Sequence, residues 1–402
     1  MKIGIVTESY YPAVGGIAEH VINLAKVLRE RGHTVKILTS SYGEMADAPF
    51  NSPDVIRLGK TFNFQKNGTP GHIAYGWHLS KKIRKVLAEE KFDLLHYHGP
   101  EQPTLPMLAL LNSTTVNVGT FHATYDRSLP LGFLRPVVAK ALAKLHARIV
   151  VSPTAKESIS KYFSEGEYEI VHNGIEVERF ASGKALEQYA DRPNIVFVGN
   201  FVLRKGFVNL MEAFTLVQKS IPNVRLIAVG DGVLRARYEK SLGEAVGKDV
   251  IFTGRVSTEE LSNYYASAEV FCSPATGRES FGIVHLEAMA AGRPVVATNI
   301  AGYKYVLENT GAALLVNPND IKGLAQALLR VLTDKNLANQ MSEAGKKTVE
   351  KFRWADIGSQ VEAVYVKALE RFPQTLPVVP GYRWLTKLFN YKPKVKKALT
   401  NE

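Results

Sequence analysis

The sequence predicts an α/β protein built as two doubly wound parallel-sheet halves. Three observations predict it. The chain opens on an apolar strand, a helix and a second strand, which is a βαβ unit and implies a parallel sheet. The same alternation restarts near Asn194. At 402 residues the chain is also too long for one ordinary core.

Lys2 to Thr7 reads as the first strand and is followed by the turn Tyr10 to Gly16. Ala18 to Arg31 reads as a helix, with Val21, Leu24 and Leu28 on one face and Gly32 past its end. Thr34 to Ser40 is the next strand, Leu79 to Glu90 a basic amphipathic helix, and Leu94 to His98, Val116 to Phe121 and Arg148 to Ser152 further strands. A short strand is expected near Glu169 to Asn173, then the turn Asn173-Gly174. Residues 181 to 192 are polar and weakly periodic, which places the linker there. In the second half, strands are expected at Asn194 to Gly199, Val224 to Val229, Asp249 to Thr253, Val270 to Cys272, Val295 to Ala297 and Ala313 to Val316. The halves are assigned to residues 1–187 and 188–355, then a helix over 356–371 expected to pack back on the first half. A tail over 372–402 mixes aromatics with six basic residues, Arg383, Lys387, Lys392, Lys394, Lys396 and Lys397, against one acid, Glu402.

Hydrophobic residues make up 46% and charged residues 22%, the balance of a globular protein. No run of 18 apolar residues marks a membrane span. The first residues read as a strand, too soon interrupted for a signal peptide. The net charge of +12 could serve an anionic partner, but no zinc-finger or RNA-binding signature accompanies it, so nucleic acid is not expected. The single cysteine, Cys272, excludes an internal disulfide and reads as a packed thiol suited to a reducing cytoplasm.

Candidate chemistry sits at strand carboxyl ends, where ligands bind in such sheets. In the second half a strand gives way to Arg278-Glu279-Ser280-Phe281-Gly282, and a helix starts near Ser280 to Gly282. Free N–H groups at a helix start suit a nucleotide diphosphate. Glu279 and Glu287, 8 positions apart, can flank one ligand and accept hydrogen bonds from vicinal hydroxyls. The plainer reading makes them a helix-terminal charge and a solvated residue. Arg204 and Lys205, in the loop Gly199 to Gly206, can neutralise a diphosphate leaving group or lie in a solvated turn. Gly15-Gly16 lets a ligand approach the backbone, yet it is not the Gly-x-Gly-x-x-Gly of a nicotinamide site. His96, His98 and His122 fall at strand ends without an acidic neighbour, so no metal is expected. His122 reads as a hydrogen-bonding group towards substrate, His96 and His98 as satisfied core histidines.

As a set, these motifs resemble the family 4 retaining glycosyltransferases, whose fold is GT-B. The likeness covers roughly residues 1–371 and includes Gly119-Thr120-Phe121-His122, Asn173-Gly174-Ile175, Gly230-Asp231-Gly232 and Ala288 to Ala297. Within the family the sequence looks most like the phosphatidylinositol α-mannosyltransferases. The resemblance implies that residues 1–187 bind acceptor and 188–355 a nucleotide sugar, GDP-mannose favoured. It implies transfer to a hydroxyl acceptor such as a phospholipid headgroup, with retention, without a metal, and with closure of the cleft. Glu279 would hold hydroxyls of the donor sugar and Glu287 the ribose. Arg204 and Lys205 would hold phosphate, and Gly15 and Gly16 would lie against the diphosphate. Asn200, Gly230, Val256 and the run Ser280, Phe281, Gly282, Ile283 would complete the donor site. His122, with Arg204, Lys205 and Glu279, would act at the reacting centre. Asn67, His72, His122 and Arg204 would meet the acceptor. Lys81, Lys82, Arg84 and Lys85 would touch anionic membrane, placing the protein peripherally on the inner face of the cell membrane.

The sequence departs from the family at several points. Asn200 stands where an arginine is usual, Ala18 where the mannosyltransferases have glutamine, His72 where they have arginine, and Lys66 where they have tyrosine. The base-reading stretch Arg255 to Thr258 also differs. A UDP-sugar donor with another lipid, small-molecule or polysaccharide acceptor therefore stays open. So do a nucleotide-sugar epimerase, a phosphorylase and a non-catalytic sugar-nucleotide-binding protein.

Overall fold

The computed structural model describes residues 1–12, 15–41, 52–66, 69–76, 78–124 and 129–372. The first unit carries strands β1 (Lys2–Val6), β2 (Thr34–Ser40), β3 (Val55–Leu58), β4 (Lys60–Lys66), β5 (Thr69–Tyr75), β6 (Leu94–His98), β7 (Val116–Phe121), β8 (Ala147–Val150) and β9 (Glu169–Ile170). Its helices are α1 (Gly16–Glu30), α2 (Leu79–Glu90), α3 (Leu105–Asn112), α4 (Leu129–Leu142) and α5 (Pro153–Ser160). The second unit begins with α6 (Val177–Ala181). It carries strands β10 (Asn194–Val198), β11 (Arg225–Val229), β12 (Val250–Gly254), β13 (Val270–Ser273), β14 (Val295–Thr298) and β15 (Ala313–Val316). Its further helices are α7 (Phe207–Ser220), α8 (Arg235–Leu242), α9 (Thr258–Ala266), α10 (Ile283–Ala290), α11 (Ala301–Leu307), α12 (Ile321–Thr333) and α13 (Lys335–Val349), and α14 (Trp354–Arg371) closes the described chain.

Both main sheets are parallel throughout. The first runs β3-β2-β1-β6-β7-β8-β9 and the second β12-β11-β10-β13-β14-β15. Strands buried on both faces must be near-continuously apolar, and Ile195, Val196 and Phe197 show it. One face of the first sheet packs on α2 to α5, through Val6, Tyr97 and Phe121; the other, through Ile3, Ile5 and Val118, packs on α1 and α14. α1 is the helix that the spacing of Val21, Leu24 and Leu28 predicts, all fully buried, and Gly32 ends it at φ +84°.

Three strands, β3 to β5, lie where the sequence predicts none. β4 and β5 form a separate antiparallel hairpin; the alternation at Phe62 and Phe64 is short and Pro70-Gly71 interrupts the second strand, so the pattern does not announce them. The polar stretch 181–192, where the linker is expected, bonds to the second unit. Lys184 N–H donates to Asn263 Oδ1 at 2.8 Å and Leu186 N–H to Ser267 Oγ at 2.8 Å, so this polar stretch is fastened to α9. Ile175, Val177 and Phe180 already lie in the core of the second unit.

The chain crosses between the units twice, and the crossings touch. Ile175 N–H donates to Phe352 O at 2.8 Å, and Ile175 pairs with Arg353 in a parallel bridge. α14 then returns to the first unit, burying Ile357, Val361, Val364 and Tyr365 against the α1 face. It comes close because Gly358 has no side chain: a Cβ there would meet Val27 Cγ1 at 2.8 Å.

Candidate functional site

Strand order reverses between β1 and β6 in the first sheet and between β10 and β13 in the second. The loops that leave these four strands at their carboxyl ends diverge there and leave a crevice. Every loop singled out around Gly15, Arg204 and Glu279 follows one of these strands.

Phe201 anchors the loop after β10. It is fully buried, packs on Phe207 at 5.0 Å between ring centroids, and its N–H donates to Asp231 O at 3.0 Å. The backbone then turns through a short 3₁₀ segment at Leu203–Lys205 and reaches Gly206 at φ +66°. A Cβ on Gly206 would lie 1.9 Å from Pro274 O, so the loops after β10 and β13 pack backbone to backbone only with glycine there. Thr276 N–H donates to Arg204 O at 2.8 Å and joins them. Gly230 lies equally close to this loop, since its Cβ would meet Gly199 O at 2.1 Å; Asn200 sits beside that contact.

This backbone contact brings three charges together. Lys205 Nζ lies 3.1 Å from Glu279 Oε1, and Arg204 Nη1 pairs with the same oxygen. The Lys205 and Glu279 side chains are only 14% and 11% exposed, so the pair is poorly screened by solvent. Glu279 is seated by Gly302, where a Cβ would meet Glu279 O at 1.8 Å. The sequence leaves both cations free for phosphate; the structure has them gripping the carboxylate of the next loop.

α10 starts at Ile283, one residue past the expected start, with Gly282 before it at φ +80°. The Phe281 ring is buried against His172 and Phe352, so the residue offers its backbone to the crevice, not its ring. Glu287 is half-buried on α10. Burial pushes its carboxyl up to about 7, and the Tyr265 hydroxyl, donating at 2.6 Å, opposes that rise. Val256 precedes α9, whose start Ser257 caps by accepting from Glu260 N–H at 3.1 Å.

Gly15 and Gly16 open α1, and a Cβ at either would meet nothing within 4 Å, so the backbone faces free space. His122 follows β7 and is partly exposed. Its Nε2 lies 2.8 Å from Nδ1 of buried His98. The His20 ring stands 4.9 Å from the His122 ring, and His20 Nδ1 lies 2.9 Å from Asn173 Oδ1. His96 is fully buried and lies 2.7 Å from both Tyr365 Oη and Thr120 Oγ1. Burial brings His20 down to about 4 and His96 to about 3, and it lowers His98 and His122 well below the usual histidine range. All four rings are neutral at pH 7. His20, His98 and His122 offer ring nitrogens within 4.8 Å of one another, a set of atoms that could hold a borderline transition-metal cation, with no carboxylate among them.

The two units meet across the crevice. Thr124 Oγ1 lies 2.8 Å from Ser280 Oγ, and Ser152 Oγ donates to Ser280 O at 2.5 Å. His172 stacks on Phe281 at 5.5 Å and accepts from the Tyr305 hydroxyl at 2.9 Å. Of the acceptor residues, Asn67 lies outside the described residues and His72 is placed on β5 opposite Asn63 by register. On α2, Lys81, Lys82 and Lys85 are exposed, while Arg84 reaches Asn112 Oδ1 at 3.2 Å. A cavity of about 760 Å³ shares no residue with these loops, lying among α6, α12, α13 and the turn Ala291 to Pro294.

Sequence reasoning missed His20, Tyr265, Thr124 and Ser152. His20 alone left a signal: it shares the stripe of Leu24 and Leu28, where a polar side chain needs a buried partner.

With this geometry in place, comparisons identify the fold and its lineage. Residues 14–179 match the model Glycosyltransferase Family 4, and residues 178–348 match Glycosyl transferases group 1. The phosphatidyl-myo-inositol mannosyltransferase of Mycolicibacterium smegmatis is 33% identical over 368 residues, covering 91% of this chain and 93% of that protein. The chain belongs to the family 4 glycosyltransferases. Alpha-monoglucosyldiacylglycerol synthase of Acholeplasma laidlawii is 25% identical, with 92% of this chain and 98% of that one covered. Sucrose-phosphate synthase from Thermosynechococcus elongatus superposes with a TM-score of 0.72 at 22% identity, over 92% of this chain and 99% of the other, which shows the GT-B fold. A family 4 glycosyltransferase takes a nucleotide-sugar donor and a hydroxyl acceptor. This family 4 glycosyltransferase has no helix, among the described residues, long and apolar enough to cross a membrane.

Proposed function

We propose that this glycosyltransferase moves a hexose, mannose favoured, from GDP-mannose to a hydroxyl of a phospholipid headgroup such as phosphatidylinositol, with retention of anomeric configuration. The observation that carries the donor side is the meeting of Arg204 and Lys205 on Glu279 at the switch point of the second sheet. Donor binding draws both cations to the diphosphate and frees Glu279 for the sugar hydroxyls. As the anomeric bond breaks, negative charge grows on the leaving phosphate. Arg204, Lys205 and the N–H groups at Gly282 and Ile283 stabilise it without reorganising. The acceptor hydroxyl attacks from the face the phosphate leaves and passes its proton to that phosphate. Asn200, Gly230 and Val256 complete the nucleotide site, Glu287 takes the ribose, and Gly15-Gly16 closes on the diphosphate. His122, His72 and Asn67 are assigned to the acceptor. The two cations supply the charge that a divalent metal supplies elsewhere, so turnover is expected to survive chelator.

The name of the Mycolicibacterium relative supports the mannosyl and phosphatidylinositol assignment, as does its match across nearly the whole chain. The exposed Lys81, Lys82 and Lys85 support peripheral contact with an anionic leaflet, cytoplasmic in this reading. The decisive experiment incubates the protein with GDP-mannose and phosphatidylinositol vesicles. Free GDP with an α-mannosylated lipid is the expected result; GDP release without a glycosylated lipid, or no turnover, sinks the assignment. The Acholeplasma relative, named for glucosylating diacylglycerol, favours a second reading in which a UDP-sugar feeds another lipid. A thermal-shift screen of GDP, UDP and their sugars separates the two, because the true donor raises Tm by mass action.

A further inference from the structure

We infer that His98 is a positioning residue: its Nδ1–H, donated to His122 Nε2, holds His122 in the tautomer that carries its proton on Nδ1 and offers that N–H to an oxygen of the transferred sugar. The inference rests on the proposed placement of His122 at the reacting centre.

The nitrogens His98 Nδ1 and His122 Nε2 are 2.8 Å apart, and both rings are neutral, so one proton lies between them. The surroundings decide which ring owns it. His98 is 3% exposed and its Nε2 is buried without a partner. If His122 donated, His98 would carry its own proton on that Nε2, and a buried N–H would go unpaired. Buried N–H groups are orphaned more rarely than acceptors. With His98 donating, only a lone pair goes unused, and the remaining proton of His122 sits on Nδ1. That atom has no hydrogen-bond partner among the described residues, and its ring is partly exposed.

The neighbours leave His98 no other role. His20 is engaged by Asn173, and His96 by Tyr365 and Thr120, all neutral groups. Among the described residues, no carboxylate joins the cluster of these ring nitrogens to hold an imidazolium. Two nitrogens on one tetrahedral metal, each about 2.0–2.1 Å from it, stand roughly 3.3 Å apart. The 2.8 Å contact is a hydrogen bond.

The test uses the full chain with ¹⁵N-labelled histidine and long-range ¹H–¹⁵N correlation spectra. In the unsubstituted protein the His122 ring is expected to be protonated on Nδ1. His98→Leu should move that proton to Nε2 and lower kcat roughly tenfold or more, with KM for the donor unchanged and Tm near normal. His98→Asn, whose amide N–H can stand where Nδ1–H stood, should restore most of kcat. A proton on Nε2 of His122 in the unsubstituted protein overturns the inference, as does a tautomer or kcat that His98→Leu leaves unmoved. Stoichiometric metal bound to these rings overturns it too. His122→Ala separates the two levels: if it keeps full kcat, the placement of His122 at the reaction has failed, whatever the tautomer shows.

Discussion

Lys205 Nζ and Glu279 Oε1 are 3.1 Å apart although 74 positions of chain separate the two residues. The contact exists because Gly206 lets one loop lie on the backbone of the other. A buried charge that loses its partner is costly. Each of the two therefore keeps the other in place until an anionic ligand takes the lysine.

Lys205→Ala removes the charge best placed for the leaving phosphate. Its kcat should fall about 10²–10³-fold, as when a transition-state charge donor is deleted. Arg204 remains on Glu279, so the fold should persist. Steady-state rates with a matched circular dichroism melt check this, and near-normal kcat would remove Lys205 from the mechanism.

Gly302→Ala tests how Glu279 is seated. The new Cβ would meet Glu279 O at 1.8 Å, and backbone on both sides must shift. Donor affinity should drop at least about tenfold, because ångström-scale displacement of a binding group costs that much or more. Calorimetric titration of the nucleotide sugar measures it. An unchanged Kd would show that Glu279 does not hold the donor.

Glu287 predicts a pH dependence with a definite sign. Burial raises its carboxyl from 4.5 to about 7, so in the folded protein it is half-protonated near neutrality. Ribose hydroxyls donate best to the ionised form. Nucleotide affinity should therefore rise as pH climbs through about 7, and Glu287→Gln should flatten the curve. The stability sign is opposite. The unfolded carboxyl ionises near 4.5, so between about 4.5 and 7 the fold holds the extra proton and this group's contribution shrinks as pH rises. Tyr265, Arg179, Glu19 and Lys205 also act on Glu287, and Tyr265→Phe should raise its apparent value further. Binding titrations from pH 6 to 8 decide the matter.

Tyr365→Phe isolates the returning helix. The hydroxyl is the partner of His96 Nδ1 at 2.7 Å in a fully buried site. Its loss should cost about 1–3 kcal/mol of stability, the penalty of an unpaired buried polar atom. Urea melts measure this, and a change under about 0.5 kcal/mol would mean that His96 finds another partner.

Neutralising Lys81, Lys82 and Lys85 should weaken co-sedimentation with anionic vesicles by about 1 kcal/mol per charge, and high salt should do the same. Arg84 is left in place because it also holds Asn112. Binding that ignores all three substitutions would exclude α2 as the contact.

Much was readable from residue order alone. The apolar strands at Lys2, Leu94, Asn194 and Val270 declared themselves because a strand buried on both faces has no choice but to be apolar. Their alternation with helices then dictated two parallel sheets. Gly15-Gly16, Arg204-Lys205 and Glu279 stood out because each follows such a strand. The hairpin β4–β5 did not, since its alternation is short and Pro70-Gly71 interrupts its second strand. Nor could the polar stretch at 181–192 reveal that Asn263 and Ser267 would hold it, because those bonds join residues about 80 positions apart. Only the tertiary structure decided that Arg204 and Lys205 share one carboxylate, that Tyr265 meets Glu287, and that His20, His96, His98 and His122 form one neutral cluster. The sequence by itself determined which groups could do chemistry and at which strand ends they stand. Which of them meet, and in what charge state, depended on how closely the backbones approach, and that distance is a property of packing.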